Sequence, residues 1–287
     1  MRTKPTAILL AVALITAASA PSAHAQLKLP RVSPAATVPQ TIGLTDLTVS
    51  YSRPGVKDRV IWGGLVPYDL PWRTGANEAT RFTTTDSIQF GGKALAAGTY
   101  SLFTIPGKDE WIVVINSEKD LWGAYEYKPE KDVLRVTVKP TAAESQEWME
   151  ISFEDLTPGS ANLVLRWEKL RVAVPVAVDV NAKALAGART AIAAMRSDDY
   201  WRTPYQAANY CFTNDVALDE GQQWLERSLG VQQNYTNLGL QARWQMKQGR
   251  KAEAIMTAGK ALEAAKASKD KVDTSALDKL LAEWKAK

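Results

Sequence analysis

Two periods divide the chain. From Asp46 to Ser52 the residues alternate strictly, with Leu47, Val49 and Tyr51 on one side and Thr48 and Ser50 on the other. Trp148 to Glu154 repeats the pattern, with Met149, Ile151 and Phe153 as the apolar set. Alternation at every second residue with one wet face predicts antiparallel sheet covered on one side. Further strands are predicted at Arg81–Thr85, Ser87–Phe90, Thr99–Ile105, Trp111–Ile115, Val133–Val138, Asn162–Trp167 and Leu170–Val178. Gly91-Gly92, Ala97-Gly98, Pro106-Gly107 and Pro158-Gly159 punctuate them with turn chemistry. About nine short strands, most with no helical period between them, predict an antiparallel β-sandwich, jelly-roll-like, over residues 33–179. Pro175 removes a ladder donor from the last strand, which predicts an edge.

From Asn181 the period becomes helical. Leu185, Ala188, Ile192 and Met195 form one stripe, and further helices are predicted near 204–213, 219–229, 234–248, 251–267 and 275–286. Gly230 and Gly249 stand where helices should end, and Ser275 with Asp278 resembles a capping box. Leu229 and Leu262, Leu225 and Ala258, and Gly221 and Ala254 are each 33 residues apart. Gly249, Ala254, Ala258 and Ala261 also follow the small-residue spacing of a tetratricopeptide repeat, whose period is about 34. The fold class expected is therefore multidomain, all-β followed by all-α, with a helical-repeat (TPR-like) domain over 181–287. A plain bundle with alanine-rich contacts is the alternative.

Residues 53–79 fit neither period. Seven Pro and Gly residues are spread there among Arg53, Lys57, Arg59, Tyr68, Trp72 and Arg73. Such an excursion is either an ordered functional loop or a cover over one end of the core.

The start of the chain changes how composition is read. Arg2 and Lys4 precede an apolar run from Ala7 to Ala18, and Ala23-His24-Ala25 follows. That order predicts a signal peptide over residues 1–25, cleaved at about Ala25/Gln26, and a periplasmic or extracellular product. The run is too short for a comfortable membrane span, which needs about 20 residues, and the mature chain is expected to have no transmembrane segment. Cleavage removes Arg2 and Lys4 and no acid, so the formal charge of +4 loses two units. No basic excess on the scale of a nucleic-acid binder is left. The 287-residue chain has one His, His24, and one Cys, Cys211. If His24 leaves with the leader, a Ser-His-Asp triad, a Cys-His pair, an H-E-x-x-H zinc site and a two-His iron site are all excluded. No phosphate-binding glycine loop is present, so neither a cofactor nor a metal is expected.

The densest polar constellation is Trp72-Arg73-Thr74-Gly75-Ala76-Asn77-Glu78-Ala79-Thr80-Arg81, with Arg53, Lys57 and Arg59 upstream. Guanidinium forks and Asn77 suit carboxylate, phosphate or sugar oxygens, and Trp72 offers a flat apolar face. Glu78 between two arginines should be held ionised, which suits an acceptor or nucleophile better than a general acid. The architectural alternative is an Arg–Glu network stapling the long loop down. A second aromatic loop, Trp122 to Lys128, carries Tyr125, whose ring at a sandwich rim would stack on sugar, or else anchor the loop. Glu78 and Glu126 are two carboxylates of the kind a glycoside hydrolase needs. Cys211, between Tyr210 and Phe212, reads as an inert buried thiol.

Several of these runs together carry a resemblance. Tyr51-Ser52-Arg53-Pro54, Leu65-Val66-Pro67-Tyr68, Trp72 to Thr80, Ala97 to Pro106, Trp122-Gly123-Ala124-Tyr125 and Asp132 to Val136 closely resemble a secreted bacterial family catalogued as domain of unknown function 2911. The resemblance spans about residues 33 to 179. It implies that Arg53, Trp72, Arg73, Asn77 and Glu78 belong to the family's pattern, and it brings no activity, substrate or catalytic residue. Members often carry a helical, repeat-like tail, which residues 181–287 resemble. One departure is Lys57-Asp58-Arg59, where a Gly often precedes the Arg.

These observations favour an exported, non-catalytic ligand-binding or scaffolding module of the cell envelope. Its expected partners are a glycan or peptidoglycan ligand on the 53–81 loop and a protein on the helical repeats. The alternatives are a carboxylate-based glycoside hydrolase using Glu78, and an envelope assembly factor acting through its repeats.

Overall fold

The computed structural model describes residues 29–195 and 200–286. The leader expected over residues 1–25, and His24 with it, lies outside the described residues. The strands are β1 (Ala35–Ile42), β2 (Thr45–Ser52), β3 (Thr80–Thr84), β4 (Ile88–Phe90), β5 (Lys93–Leu95), β6 (Gly98–Pro106), β7 (Trp111–Asn116), β8 (Asp132–Val138), β9 (Thr141–Glu154) and β10 (Ser160–Ala177). They form a six-stranded sheet in the order β1-β2-β3-β6-β7-β8 and a four-stranded sheet in the order β5-β4-β10-β9. Every pairing between these strands is antiparallel.

The alternation read in β2 is the one observed, with Leu47, Val49 and Tyr51 buried. They meet Phe82 of the same sheet and Phe90, Met149, Ile151 and Leu165 of the other in one apolar cluster. Burying so much aliphatic and aromatic surface between two layers is the main stabilising term, at roughly 25 cal/mol per Å2. The excursion after β2 closes one end of this layer, so it is a cover. Its Ile61, Val66 and Trp72 join the core. Trp72 stacks on Trp167 at 5.7 Å, and Trp62 packs edge-on against Trp111 at 4.8 Å and Trp167 at 5.7 Å.

Two strand expectations need correction, and β1, β5 and the first half of β9 were not expected. The Asn162–Trp167 and Leu170–Val178 runs are one strand, β10, which bends at Glu168 where φ is 55°. Pro175 is not on an edge strand, because β10 lies between β4 and β9. Proline is tolerated there because the β9 register ends at Arg171 and the Pro175 carbonyl still accepts from the Gly91 N–H. The edge strands are β1, β8, β5 and β9; β1 was missed because Pro39 interrupts a weakly alternating Ala-Thr-Val run, and facing Thr48 on an open edge that proline forfeits little. The first half of β9, Thr141–Glu147, was also missed, since its only apolar residues are Ala142 and Ala143 and it is shaped by its partner.

Six helices follow among the described residues: α1 (Val180–Ala193), α2 (Arg202–Asn214), α3 (Leu218–Val231), α4 (Tyr235–Lys247), α5 (Lys251–Lys266) and α6 (Ser275–Ala286). Asp179 caps α1 by accepting from the Ala182 N–H at 2.9 Å. Lys183 of α1 reaches back to the Leu44 carbonyl and the Asp86 carboxylate of the β half. The most extensive helix packing is α2 on α3 and α4 on α5. Small buried residues line it: Ala208, Gly221, Ala242, Ala254, Ala258 and Ala261. Trp224, Trp244 and Trp284 are buried as core, while Trp201 is half-buried. Gly249 ends α4 at φ 77°, as expected. Gly230, however, lies inside α3, which ends at Val231. The capping box at Ser275 is not formed either: Ser275 is already helical, and Asp273 accepts its N–H at 3.0 Å. No described helix is long and apolar enough to cross a membrane.

Candidate functional site

The expected site residues are not gathered in one place. Arg53 runs to β9, where its Nε donates to the Met149 carbonyl at 2.8 Å. Lys57 lies beside it, with its N–H on Glu147 at 3.0 Å and its ammonium over the Trp148 ring at 5.8 Å. Arg59 folds back onto the Gly55 and Val56 carbonyls. Lys57 and Asp58 both have positive φ, 48° and 56°. The turn that this chain builds without a glycine is thus a left-handed one, and the three basic side chains around it bind protein.

The run from Trp72 to Thr80 is tightly folded, and most of its polar groups have structural work. Trp72 exchanges backbone hydrogen bonds with Thr104, and its indole N–H donates to the Gly75 carbonyl at 3.0 Å. Thr74 donates to the Thr104 hydroxyl, Thr80 to the Thr74 carbonyl, and Asn77 to the Ser33 carbonyl. Thr74 and Asn77 sit at φ 54° and 59°, a left-handed conformation that these bonds maintain. Trp72 is core, so it offers no face to a ligand.

Arg73 differs from the rest of the run. Its guanidinium is half-buried over Gly123, its Nε is shut off from solvent, and that nitrogen meets no acceptor. Burial pushes its pKa below the usual arginine range, and the nearby Tyr125 hydroxyl acts in the opposite sense. Tyr125 itself is 87% exposed.

Glu78 and Arg81 do share a feature. Both line a groove of about 370 Å3 on the outer face of the six-stranded sheet. Its floor is the wet side of β1 and β2, with Thr37 and Ser50 (hydroxyls 3.2 Å apart) and Ser52. One wall is the loop after β7, with Asp120 and Trp122. That loop is held by a small second core of Phe103, Val114, Leu121 and Tyr127. Tyr127 also donates to Asp132 at 2.7 Å; burial first, and then that carboxylate, push the phenol up to about 12. A further tether is Arg81, which donates to Asp120 at 2.6 Å.

At Glu78, Arg31 Nη1 donates to both carboxylate oxygens, at 2.8 and 2.7 Å. This hydrogen bonding holds Glu78 below the usual carboxylate range. The direction is the expected one, but the partner is distant in sequence: Arg73 points elsewhere and Arg81 takes Asp120. The Arg–Glu contact is solvent-exposed and spans from the N-terminal segment, where a buried or semi-buried network stapling the loop to the sandwich was the architectural alternative.

Arg31, Asp120 and the β1 contribution were missed by sequence reasoning. Ser50 was legible as a wet position of β2, whereas β1 was not recognised as a strand. Chemically the groove offers hydroxyls that donate and accept, two ion-paired carboxylates with spare lone pairs, and one aromatic ring, since Trp122 is 58% exposed. Cys211 lies far from these residues in the sequence, wholly buried in the helical core, and burial pushes its thiol up.

A family model described as "Protein of unknown function (DUF2911)" matches residues 33–176. The chain belongs to the DUF2911 family. The match takes in every strand but the last residue of β10, and both the groove and the Trp72–Thr80 run. Neither a curated protein nor a solved structure matches this DUF2911 chain.

Proposed function

We propose that the β half of this DUF2911 protein is a non-catalytic binding module for a glycan, and that the groove between Glu78, Arg81 and Trp122 holds it. One observation carries the reading: an open groove with a hydroxyl floor lies beside a tryptophan that is left exposed. Sugar rings have an apolar face for an indole and equatorial hydroxyls for Ser, Thr and ion-paired carboxylates. Carboxylates already held by arginines cost less to desolvate than free ones, and they keep acceptor capacity. Hydrolysis by a carboxylate pair needs one acid kept protonated near neutral pH; Arg31 denies Glu78 that role and leaves it only the ionised one. Export to the cell envelope through the leader is part of the same reading, with peptidoglycan as one glycan available there.

For the helical half the reading is a tetratricopeptide-like repeat that docks a protein. Supporting it, the residues 33 apart fall on equivalent helices of two hairpins: Gly221 and Ala254, and Leu225 and Ala258, are buried on α3 and α5.

The test is calorimetric titration of the full chain with soluble glycan fragments. Trp122→Ala should weaken binding by about tenfold or more, the scale of one aromatic contact at the centre of a small site, with an unchanged melting curve. Glu78→Gln should weaken it less and release no product. An unaltered affinity in Trp122→Ala would sink the groove. Turnover by the wild type that disappears in Glu78→Gln would replace the binding module with a hydrolase.

A further inference from the structure

In the Trp72–Thr80 run, architecture accounts for the side chains of Trp72, Thr74, Asn77 and Thr80, while Glu78 is engaged by Arg31. Architecture does not account for Arg73. Arginines close by in sequence or space all have acceptors: Arg53 has the Met149 carbonyl, Arg81 has Asp120 and Arg31 has Glu78. Arg73 has none among the described residues, although its Nε is buried. A guanidinium N–H removed from water without an acceptor is costly, and native proteins satisfy nearly all such groups; the terminal nitrogens of this half-buried side chain are not shut off in the same way. A cation left in this state is poised for an anion that arrives from outside.

The surroundings fit that role. Gly123 follows Trp122 of the groove wall and is tied to the run, its N–H on the Asn77 carbonyl at 3.2 Å. At φ 72°, it leaves open the space where a Cβ would lie 2.9 Å from the Tyr125 ring and 3.8 Å from Arg73 Nη1. A hydroxyl-bearing ring and a planar fork of donors therefore meet over a residue with no side chain, one step from the groove's exposed tryptophan. A planar guanidinium matches a carboxylate in shape as well as charge.

We infer that Arg73, with Tyr125 beside it, is an anion subsite that takes the carboxylate of an acidic saccharide lying in the groove. This inference rests on the glycan reading above and narrows it to sugars that carry an acid.

Two pairs of probes differ in little but the acid: galacturonate against galactose, and N-acetylmuramate against N-acetylglucosamine. In at least one pair the acid should bind the wild type about tenfold or more tighter, the scale of one charge-assisted contact. The pair that responds tells a uronic acid from a lactyl ether. Arg73→Gln should erase the difference and leave the neutral sugar's affinity unchanged. Equal binding of acid and neutral sugar in both pairs, or an equal loss of both in Arg73→Gln, overturns the subsite.

If Arg73→Gln fails to fold, the wild type still decides. The Arg73 Nε–H resonance should move on titration with the acid and stay still with the neutral sugar; no movement with either acid rejects the inference. Trp122→Ala separates the two readings. An Arg73 signal that still moves there with undiminished affinity keeps the subsite and removes the groove. Neutral sugars that bind the wild type without acid preference keep the groove and remove the subsite.

Discussion

The two halves of the chain solve packing in opposite ways. In the β half, two sheets face each other and the gap is filled with large rings: Trp111, Trp167, Phe82 and Phe90 are among its fully buried side chains. In the helical half the hairpins approach on alanine and glycine: Ala208, Ala242, Ala254 and Ala258 are wholly buried. Facing sheets stand about 10 Å apart and need long side chains to meet. Helix axes come to 8–10 Å depending on the residues at the contact, and small ones allow the closest approach. The first half should therefore suffer when side chains are shortened, and the second when they are lengthened.

The largest expected effect tests the first statement. Trp167→Ala removes a ring that is 1% exposed and stacked on Trp72, and should cost about 3–5 kcal/mol in chemical denaturation followed by near-UV circular dichroism. A cost below about 1 kcal/mol would mean that the cover closes over the cavity and that the rings are not what spaces the sheets.

The next effect tests the second statement with a matched pair. A Cβ at Gly221 would lie 2.5 Å from the Cys211 Cβ and 2.9 Å from Trp244, whereas one at Gly259 meets nothing within 4 Å. Gly221→Ala should destabilise the helical half by about 1–3 kcal/mol through overpacking. Gly259→Ala should stabilise it by about 0.5–1 kcal/mol through helix propensity. The same sign in both, read by far-UV melting, would refute close approach as the packing rule of this half.

The smallest effect concerns charge. Glu154 accepts from Arg166 at 2.9 Å and from Arg171 at 3.1 Å, and these donors lower its pKa to about 2. A carboxyl with a depressed folded-state pKa contributes its stability above the unfolded value, and loses it as pH falls through the folded one. The β half should therefore lose melting temperature between the ordinary carboxylate range and about pH 2. Glu154→Gln should flatten that acid limb and leave the limb above pH 7 alone; an unchanged limb would place the acid sensitivity elsewhere.

Much of the fold was legible because burial leaves a periodic trace. Strands with one wet face, such as β2 and the second half of β9, and all six helices could be read from spacing. Strands with a weak apolar pattern could not: β1, the three-residue β5 and the first half of β9 carry few large apolar side chains and rely on the ladder a neighbour offers. Legibility of the candidate site was lower for the same reason. The Trp72–Arg81 run marked a place where polar residues are concentrated, yet its members diverge. Trp72 enters the core, Arg53 follows β9, and Glu78 finds Arg31 from a segment that carries no motif.

Read alone, the order of residues was enough to separate a sheet-forming half from a helical one and to mark the Trp72–Arg81 run; the arginine that holds Glu78 ionised, Arg31, was brought by folding. Periodicity and turn chemistry are local properties that survive in one dimension. Only the tertiary structure decided that the buried Nε of Arg73 is left without an acceptor among the described residues and that the wet face of β1 and β2 floors a groove. Pairing and desolvation depend on which distant segments arrive beside a side chain, and the hydrogen-bond partners of Arg31, Arg53 and Arg81 are all brought by folding.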